Sequence, residues 1–262
     1  MLQIEPLTPE WQAASVAYVR LMPYRNALLL SNVSQLRSRC DVRIARIDSR
    51  IVGIASTYLD LPVPNIIFTA DNESTAKQLV QSLLDDHEAL RTGPTMALLP
   101  ETQYYQLASM VQVISTTIEY QMVVEPETLV QPNQHAVRRL SKDDIPAMNA
   151  LAEAAQLTVW DPSALDLGPA FGCFVGDQLV AMAATHFATA DAIEIGHVAC
   201  HPDFRRRGYA SACTAALTRA AFTLTPRVFL MVVAENTPAL EAYKRLGFRV
   251  LERFWLTHFT AC

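Results

Sequence analysis

Between Ile193 and Phe222 the chain changes from a strand pattern to a helix pattern through a segment that belongs to neither. The apolar run Ile193 to Cys200 reads as a strand, and His201-Pro202-Asp203 as a turn. Arg205-Arg206-Arg207-Gly208 then opens straight into the helical pattern Tyr209 to Phe222. A glycine-bearing loop feeding a helix N-terminus aims several backbone N–H groups at one point, which is how proteins hold a diphosphate. Gly208 permits a positive φ and a close approach by ligand, Ala210 keeps the first helical turn thin, and the arginines add charge. A basic run of this kind is also an ordinary solvated helix start, so the flanking sequence has to decide.

With 262 residues the chain has room for one large domain or two ordinary ones, and 51% hydrophobic content with only 8 Gly implies a packed globular protein. The net charge of −5 disfavours a nucleic-acid surface overall. The charge is uneven: residues 1–130 hold 9 Lys and Arg against 14 Asp and Glu, whereas residues 131–262 hold 12 of each. A polyanionic ligand is better received by the second half. Cys40, Cys173, Cys200, Cys213 and Cys262 form no CxxC pair and no zinc pattern, so no metal is expected and a reducing compartment is. The N-terminus lacks a signal-peptide pattern and no apolar run reaches the roughly 20 residues that span a bilayer, so the expectation is a cytoplasmic protein without a membrane partner.

The polar, proline-punctuated connector from Glu125 to Gln134 marks the joint between two expected domains, 1–130 and 131–262. In the second half the expected elements are strand 135–140, a helix capped by Ser141 with Asp144 and running to Ala155, and a hairpin about Gly176-Asp177 with arms 170–175 and 178–187. Strand 192–200, helix 206–222, strand 227–233, helix 238–246 and strands over 248–259 follow. The first half passes through a similar order. Helices are expected over 10–21 and from Asn26, strands over 42–47, 51–58 and 65–70, and a helix over 74–90. Strand 95–99, a helix from Glu101 and strand 118–124 complete it. The repeated order suggests an internal duplication, although no residue-level repeat is visible. The fold class expected is α/β, a mixed sheet flanked by helices. At the position of the basic loop the first half reads Asp71-Asn72-Glu73-Ser74, whose carboxylates would repel a diphosphate at a helix entrance.

The segments VACHPDFRRRGYA (198–210), EN-x-x-A-x-x-x-Y from Glu235 to Tyr243, and Leu246-Gly247-Phe248 together resemble the GNAT superfamily of N-acetyltransferases, and within it the glycine N-acyltransferase-like branch. The resemblance is firm over about residues 170–255 and only topological over 1–130. It implies two tandem GNAT-like domains, the first degenerate and without a cofactor loop. It further implies acetyl-CoA as cosubstrate and acyl transfer to a primary amine by direct attack in a ternary complex. By the same resemblance, backbone of Val198, Ala199 and Cys200 would bond pantetheine and the acyl carbonyl. Arg205, Arg206, Arg207, Gly208, Tyr209, Ala210 and Ser211 would surround the pyrophosphate, Asn236 would reach the pantetheine arm, and Gly196 would mark a bulge that splays two strands.

Tyr243 matches the family's general acid, and a phenol of ordinary pKa about 10 suits protonation of a departing thiolate. Many relatives place a basic Glu where this chain has Met231, so the expected base is Glu194, directly or through water. His197 is the alternative, although its strand parity is opposite to that of Glu194 unless a bulge intervenes. Cys200 as an acyl-cysteine would require a partner base that the sequence does not assign. His186 and His201 read as strand and turn residues. The acceptor, a small-molecule amine or a protein amine, would meet the variable loops 157–168 and 187–191, and a homodimer is open. Met231 also leaves open a non-catalytic acyl-CoA-binding or regulatory module. A nucleic-acid reader is disfavoured because helix 209–222 carries Arg219 alone as a basic residue.

Overall fold

The computed structural model describes residues 1–58, 63–132, 135–157 and 160–261. Of the segments singled out above, Asn133 and Gln134 of the connector, two residues of the 157–168 loop (158 and 159) and Cys262 lie outside these. The chain divides into two compact units, Met1–Glu119 with Glu252–Cys262, and Tyr120–Leu251. The division thus falls in a strand before the proline-punctuated connector, and the last residues return to the first unit.

The first unit contains β1 (Leu2–Pro6), α1 (Gln12–Val19), α2 (Ala27–Val33), β2 (Cys40–Ile47), β3 (Arg50–Tyr58), β4 (Ile67–Ala70), α3 (Glu73–Asp86), α4 (Glu88–Thr92), β5 (Thr95–Pro100) and α5 (Glu101–Ala108). It also holds the first part of β6 (Val111–Val124). Strands β1 to β4 form an antiparallel sheet in chain order. Strand β1 carries no strong alternation and was not expected; its pairing with β2 from Leu2↔Ile47 to Pro6↔Arg43 makes it a strand. Helix α3 buries Leu79, Val80, Leu83 and Leu84 against β3 and β5 residues such as Val52, Ala97 and Leu99.

The second unit contains β7 (Arg138–Arg139), α6 (Ile145–Ala155), α7 (Ala164–Leu167), β8 (Ala170–Val175), β9 (Gln178–Ala188), β10 (Ile193–Cys200), α8 (Tyr209–Phe222), β11 (Val228–Val233) and α9 (Thr237–Arg245). The final strand β12 (Arg249–Ala261) starts here, and its residues Phe254 to Phe259 pair antiparallel with β5 in the first unit's fold. The sheet order is β7-β8-β9-β10-β11 with the end of β6, Tyr120–Val124, beside β11. Ser141 and Asp144 form the expected capping box ahead of α6. The first hairpin arm, 170–175, falls as expected and the second, 178–188, runs one residue further; α8 ends at Phe222 as expected but begins at Tyr209 rather than 206, and the strand expected over 135–140 narrows to Arg138–Arg139.

Two cores cover the two faces of this sheet. On one face α8 and α9 pack on Ile193, Ile195, Val228 and Leu230. On the other, α6 and the segment around Trp160 and Ala164 pack on Leu179, Met182, Ala184 and Ala199. The order strand, helices, three antiparallel strands, helix, strand, helix, strand therefore occurs once in each half of the chain, with the short α4 as an addition after α3 in the first.

Candidate functional site

Strands β10 and β11 run parallel, and their pairing covers Ile193↔Val228, Glu194↔Phe229 and Ile195↔Leu230. From Gly196 to Cys200 the strand stays paired with β9 on its other side, as in Ala199↔Met182, but no pair with β11 is formed. The backbone edge of Val198, Ala199 and Cys200 toward β11 is therefore available to a ligand, and an unpaired strand edge binds extended chains through its N–H and C=O groups. Ala199 is buried, whereas Val198 and Cys200 are half-buried on the α8–α9 side.

Two irregularities in the β9–β10 register shape this opening. One lies between Glu194 and Ile195, where the partner steps from Phe187 to Thr185 and leaves His186 as the extra residue. The other lies between Gly196 and Ala199, and there His197 adopts φ +45°. A left-handed non-glycine residue in a strand is costly and marks a bulge held by its surroundings. The parity objection to His197 is removed by this bulge. Gly196 has a reason of its own to be glycine, since an added Cβ would sit 2.6 Å from the Cβ of His186.

The two bulges bring four side chains together on the α6–α7 face. The Nδ1–H of His186 donates to Oε1 of Glu194 at 2.9 Å. The ring of His186 meets that of His197 edge to face at 5.1 Å, and Trp160 meets His197 at 5.3 Å in the same manner. Glu194 lies between Ile193 and Ile195, both in the α8–α9 core, so its carboxylate turns to the opposite face and is buried. Sequence reasoning found Glu194 and weighed His197 but missed His186 as its partner. The pairing requires a bulge on each strand, which no periodicity in one strand encodes.

The basic loop is arranged as the sequence implies. Arg206 adopts φ +61° and Gly208 φ +87°, the latter as the N-cap of α8. Left-handed residues near a helix start turn successive N–H groups to one side. Among the described residues, no carbonyl or side chain accepts from the N–H groups of Arg206, Arg207, Gly208, Tyr209, Ala210 or Ser211. Arg205 turns back, its Nε donating to the carbonyl of Cys200 at 3.4 Å, and Arg207 lies over the ring of Phe204 at 5.4 Å. His135, also unremarked in the sequence, stacks on Tyr209 at 3.9 Å and donates from Nε2 to the carbonyl of Arg207 at 2.6 Å. Below the loop, Sγ of Cys173 and Sγ of Cys213 are 3.5 Å apart and buried, packing α8 onto β8 and β9.

Asn236 caps α9, its side-chain oxygen accepting from the N–H of Ala239 at 3.3 Å. Tyr243 lies in the α8–α9 core against Phe248, and burial pushes its phenol up to about 12. Burial likewise raises the Cys200 thiol, so Cys200 is held as a thiol rather than a nucleophilic thiolate. Met231 is on β11, half-buried and without an ionisable group. Glu194 and Tyr243 thus occupy opposite faces of the sheet, on either side of the gap that begins after Ile195 and Leu230. Among the described residues no group of three or more His, Cys, Asp and Glu could hold a metal ion, and no helix is long and apolar enough to cross a membrane.

In the first unit the corresponding helix entrance is filled by its own side chains. Asn72 caps α3 by accepting from the N–H of Thr75 at 2.9 Å. Asp71 accepts from Tyr18 Oη at 2.9 Å and from Arg50 at 3.0 Å. Burial, and then Asp71, raise the Tyr18 phenol, which is therefore neutral.

Residues 170–256 match the family model of FR47-like proteins. The chain has no significant match among curated protein sequences. Its fold is similar to that of a GCN5-related N-acetyltransferase from Sphaerobacter thermophilus (TM-score 0.66, 15% identity, 99% of this chain and 95% of that one). It is also similar to that of a GCN5-related N-acetyltransferase from Kribbella flavida (0.62, 20%, 95% of each). A third likeness is to a tandem GNAT protein from the clavulanic acid biosynthesis pathway (0.61, 14%, 100% and 98%). A loop of free amides entering a helix, a strand pair that parts beside it and these likenesses converge: the fold is that of the GNAT N-acetyltransferases.

Proposed function

We propose that this protein transfers an acyl group, acetyl in the simplest case, from acyl-CoA to a primary amine by direct attack, and that the second unit alone carries the site. The observation that carries the reading is the pairing of free N–H groups over Arg206–Ser211 with an open strand edge over Val198–Cys200. The first suits a diphosphate and the second an amide-bearing pantetheine chain, a combination that matches coenzyme A. Bound there, the thioester supplies the activated acyl group. The N–H groups of the β10 edge would polarise its carbonyl, because fixed donors favour the charge that develops on oxygen during attack. Tyr243 would supply a proton to sulfur from the α8–α9 face, and the buried Glu194 cluster would draw a proton from nitrogen on the other. Asn236, its oxygen spent on the cap, has its amide N–H groups for the pantetheine arm.

The first unit we read as a degenerate GNAT-like companion, in effect the first half of a tandem protein. Asp71, Asn72 and Glu73 stand where a diphosphate would have to enter, and the side chains there already satisfy one another. Its acidic balance favours a cationic acceptor. The acceptor is a small-molecule or protein amine, and scattered cysteines without a CxxC framework fit the cytoplasm.

Calorimetric titration with acetyl-CoA, beside an Arg207→Glu/Gly208→Asp double variant, tests the reading. We expect micromolar binding by the wild-type chain and at least a hundredfold loss in the variant. Absence of binding by the wild-type chain would remove the enzymatic reading.

A further inference from the structure

Resting on the acyl-transfer reading above, we propose that His135, just after the polar connector, is a positioning residue for the cofactor: its ring sets the direction of the Gly208 amide in the loop that receives the diphosphate. Glycine by itself does not set it. Gly208 allows a left-handed backbone and a close approach, but the same freedom lets the peptide between Arg207 and Gly208 turn over at little cost. One orientation presents an N–H group to an anion. The other presents the Arg207 carbonyl oxygen, which repels it.

A peptide unit is planar and trans, so its C=O and N–H point in opposite directions. A group that holds the Arg207 carbonyl on one side therefore holds the Gly208 N–H on the other. His135 is that group. Its Nε2 lies 2.6 Å from the Arg207 carbonyl oxygen. A carbonyl only accepts, so this nitrogen carries a proton, and it does so in the neutral ring and in the imidazolium alike. The Gly208 N–H is turned the other way, and among the described residues no backbone carbonyl accepts from it.

The ring is itself held in place. It stacks on Tyr209, the first residue of α8, with centroids 3.9 Å apart and planes 28° from parallel. Tyr209 meets Phe204 edge to face at 6.1 Å, and the Arg207 guanidinium lies over Phe204. Four residues before His135, Gln131 donates from Nε2 to the Ala215 carbonyl at 3.4 Å and accepts from Arg219, so this stretch is tied to α8 at its first turn and again further along. The loop needs such support. Arg206 stands at φ +61°, a conformation that persists in a non-glycine residue only where its surroundings enforce it. His135 is 72 positions away from Arg207 in sequence, so the constraint comes from outside the loop.

The test compares wild-type protein with His135→Phe, which keeps a stacking ring without a donor, and His135→Gln, which keeps a donor without the ring. Affinities for acetyl-CoA and for S-acetylpantetheine, the same thioester arm without the diphosphate, are measured by calorimetry and ligand-detected NMR, beside thermal midpoints. We expect the acetyl-CoA dissociation constant to rise about tenfold in His135→Phe, the loss of one oriented hydrogen bond to an anion. His135→Gln should recover acetyl-CoA affinity to within threefold of wild type. Affinity for S-acetylpantetheine should stay within twofold in both variants, which a general loosening of the unit would not permit. With an amine that the wild-type protein acylates, His135→Phe should raise KM for acetyl-CoA and leave kcat within twofold. His135→Ala, which adds no bulk, carries the same comparison if the larger ring prevents folding. Acetyl-CoA affinity within twofold of wild type in His135→Phe overturns the assignment and leaves the acyl-transfer reading standing, and so does an equal loss for the two ligands. Wild-type protein that binds no acetyl-CoA overturns the assignment together with the function on which it rests.

Discussion

At the scale of single residues the proposed acid and the buried carboxylate lie across a sheet from each other. Tyr243 and the Glu194–His186 pair lie on opposite faces, and the pairing of β10 with β11 ends at Ile195↔Leu230, next to Glu194. Tyr243 is held protonated by burial, with its phenol pushed up to about 12, so it retains its proton over the whole range in which a transferase is assayed. Tyr243→Phe should therefore lower kcat by roughly a hundredfold, at the lower end of general acid catalysis, while leaving the acetyl-CoA dissociation constant within twofold. Steady-state kinetics beside calorimetry checks this, and equal turnover would remove Tyr243 from the reaction. The sequence marks Tyr243 through its spacing from Asn236, and Glu194 through its distance from the basic loop. It does not mark His186, because the step from Phe187 to Thr185 opposite Glu194 and Ile195 is a property of two strands together.

At the scale of elements, the helix entrances are where local sequence acts most directly. Ser141, Asp144 and Arg138 tie β7 to the start of α6: Asp144 accepts from the Ser141 N–H at 2.9 Å and from both Arg138 Nη atoms at 2.6 and 2.9 Å. Arg138, and then the Ser141 N–H, hold the Asp144 carboxyl at about 2. A carboxyl whose pKa is depressed in the folded state stabilises above its unfolded value near 3.9 and loses that contribution as pH falls through about 2. Arg138 is half exposed, which limits the ion pair to about 1 kcal/mol. Asp144→Asn should lower the thermal midpoint at pH 7, and the gap from wild type should close between pH 4 and pH 2. A gap that stays constant over that interval would assign the effect to the cap alone. Capping box, hairpin turn and the glycine entry to α8 were all legible because each depends on residues within four positions of one another. Strand β1 was not legible, since its five residues gain their partners from β2, some 40 positions away.

At the scale of the whole molecule, the chain's two compact units do not coincide with two consecutive halves. Met122 and Val124 belong to the core of the second unit, and Phe259 belongs to that of the first. A fragment spanning 131–262 would lack the strand segment beside β11 and would carry Phe254, Trp255 and Phe259, all buried in the full chain, without the β5 pairing that covers them. We expect that fragment to be insoluble or to lack cooperative unfolding, whereas the full chain unfolds cooperatively; circular dichroism melts of the two distinguish these outcomes. A soluble fragment with full acetyl-CoA affinity would show that the second unit closes its core without residues 120–130. The order of strands and helices, the amide-rich loop and the charge difference between the halves are contained in the sequence, because each is carried by contiguous residues whose periodicity or backbone freedom acts locally. The allotment of β6 and β12 between units, the opening between β10 and β11, and the meeting of His186 with Glu194 were decided only in the folded chain. Each depends on register between strands distant in sequence, and register is set by the packing of both faces at once.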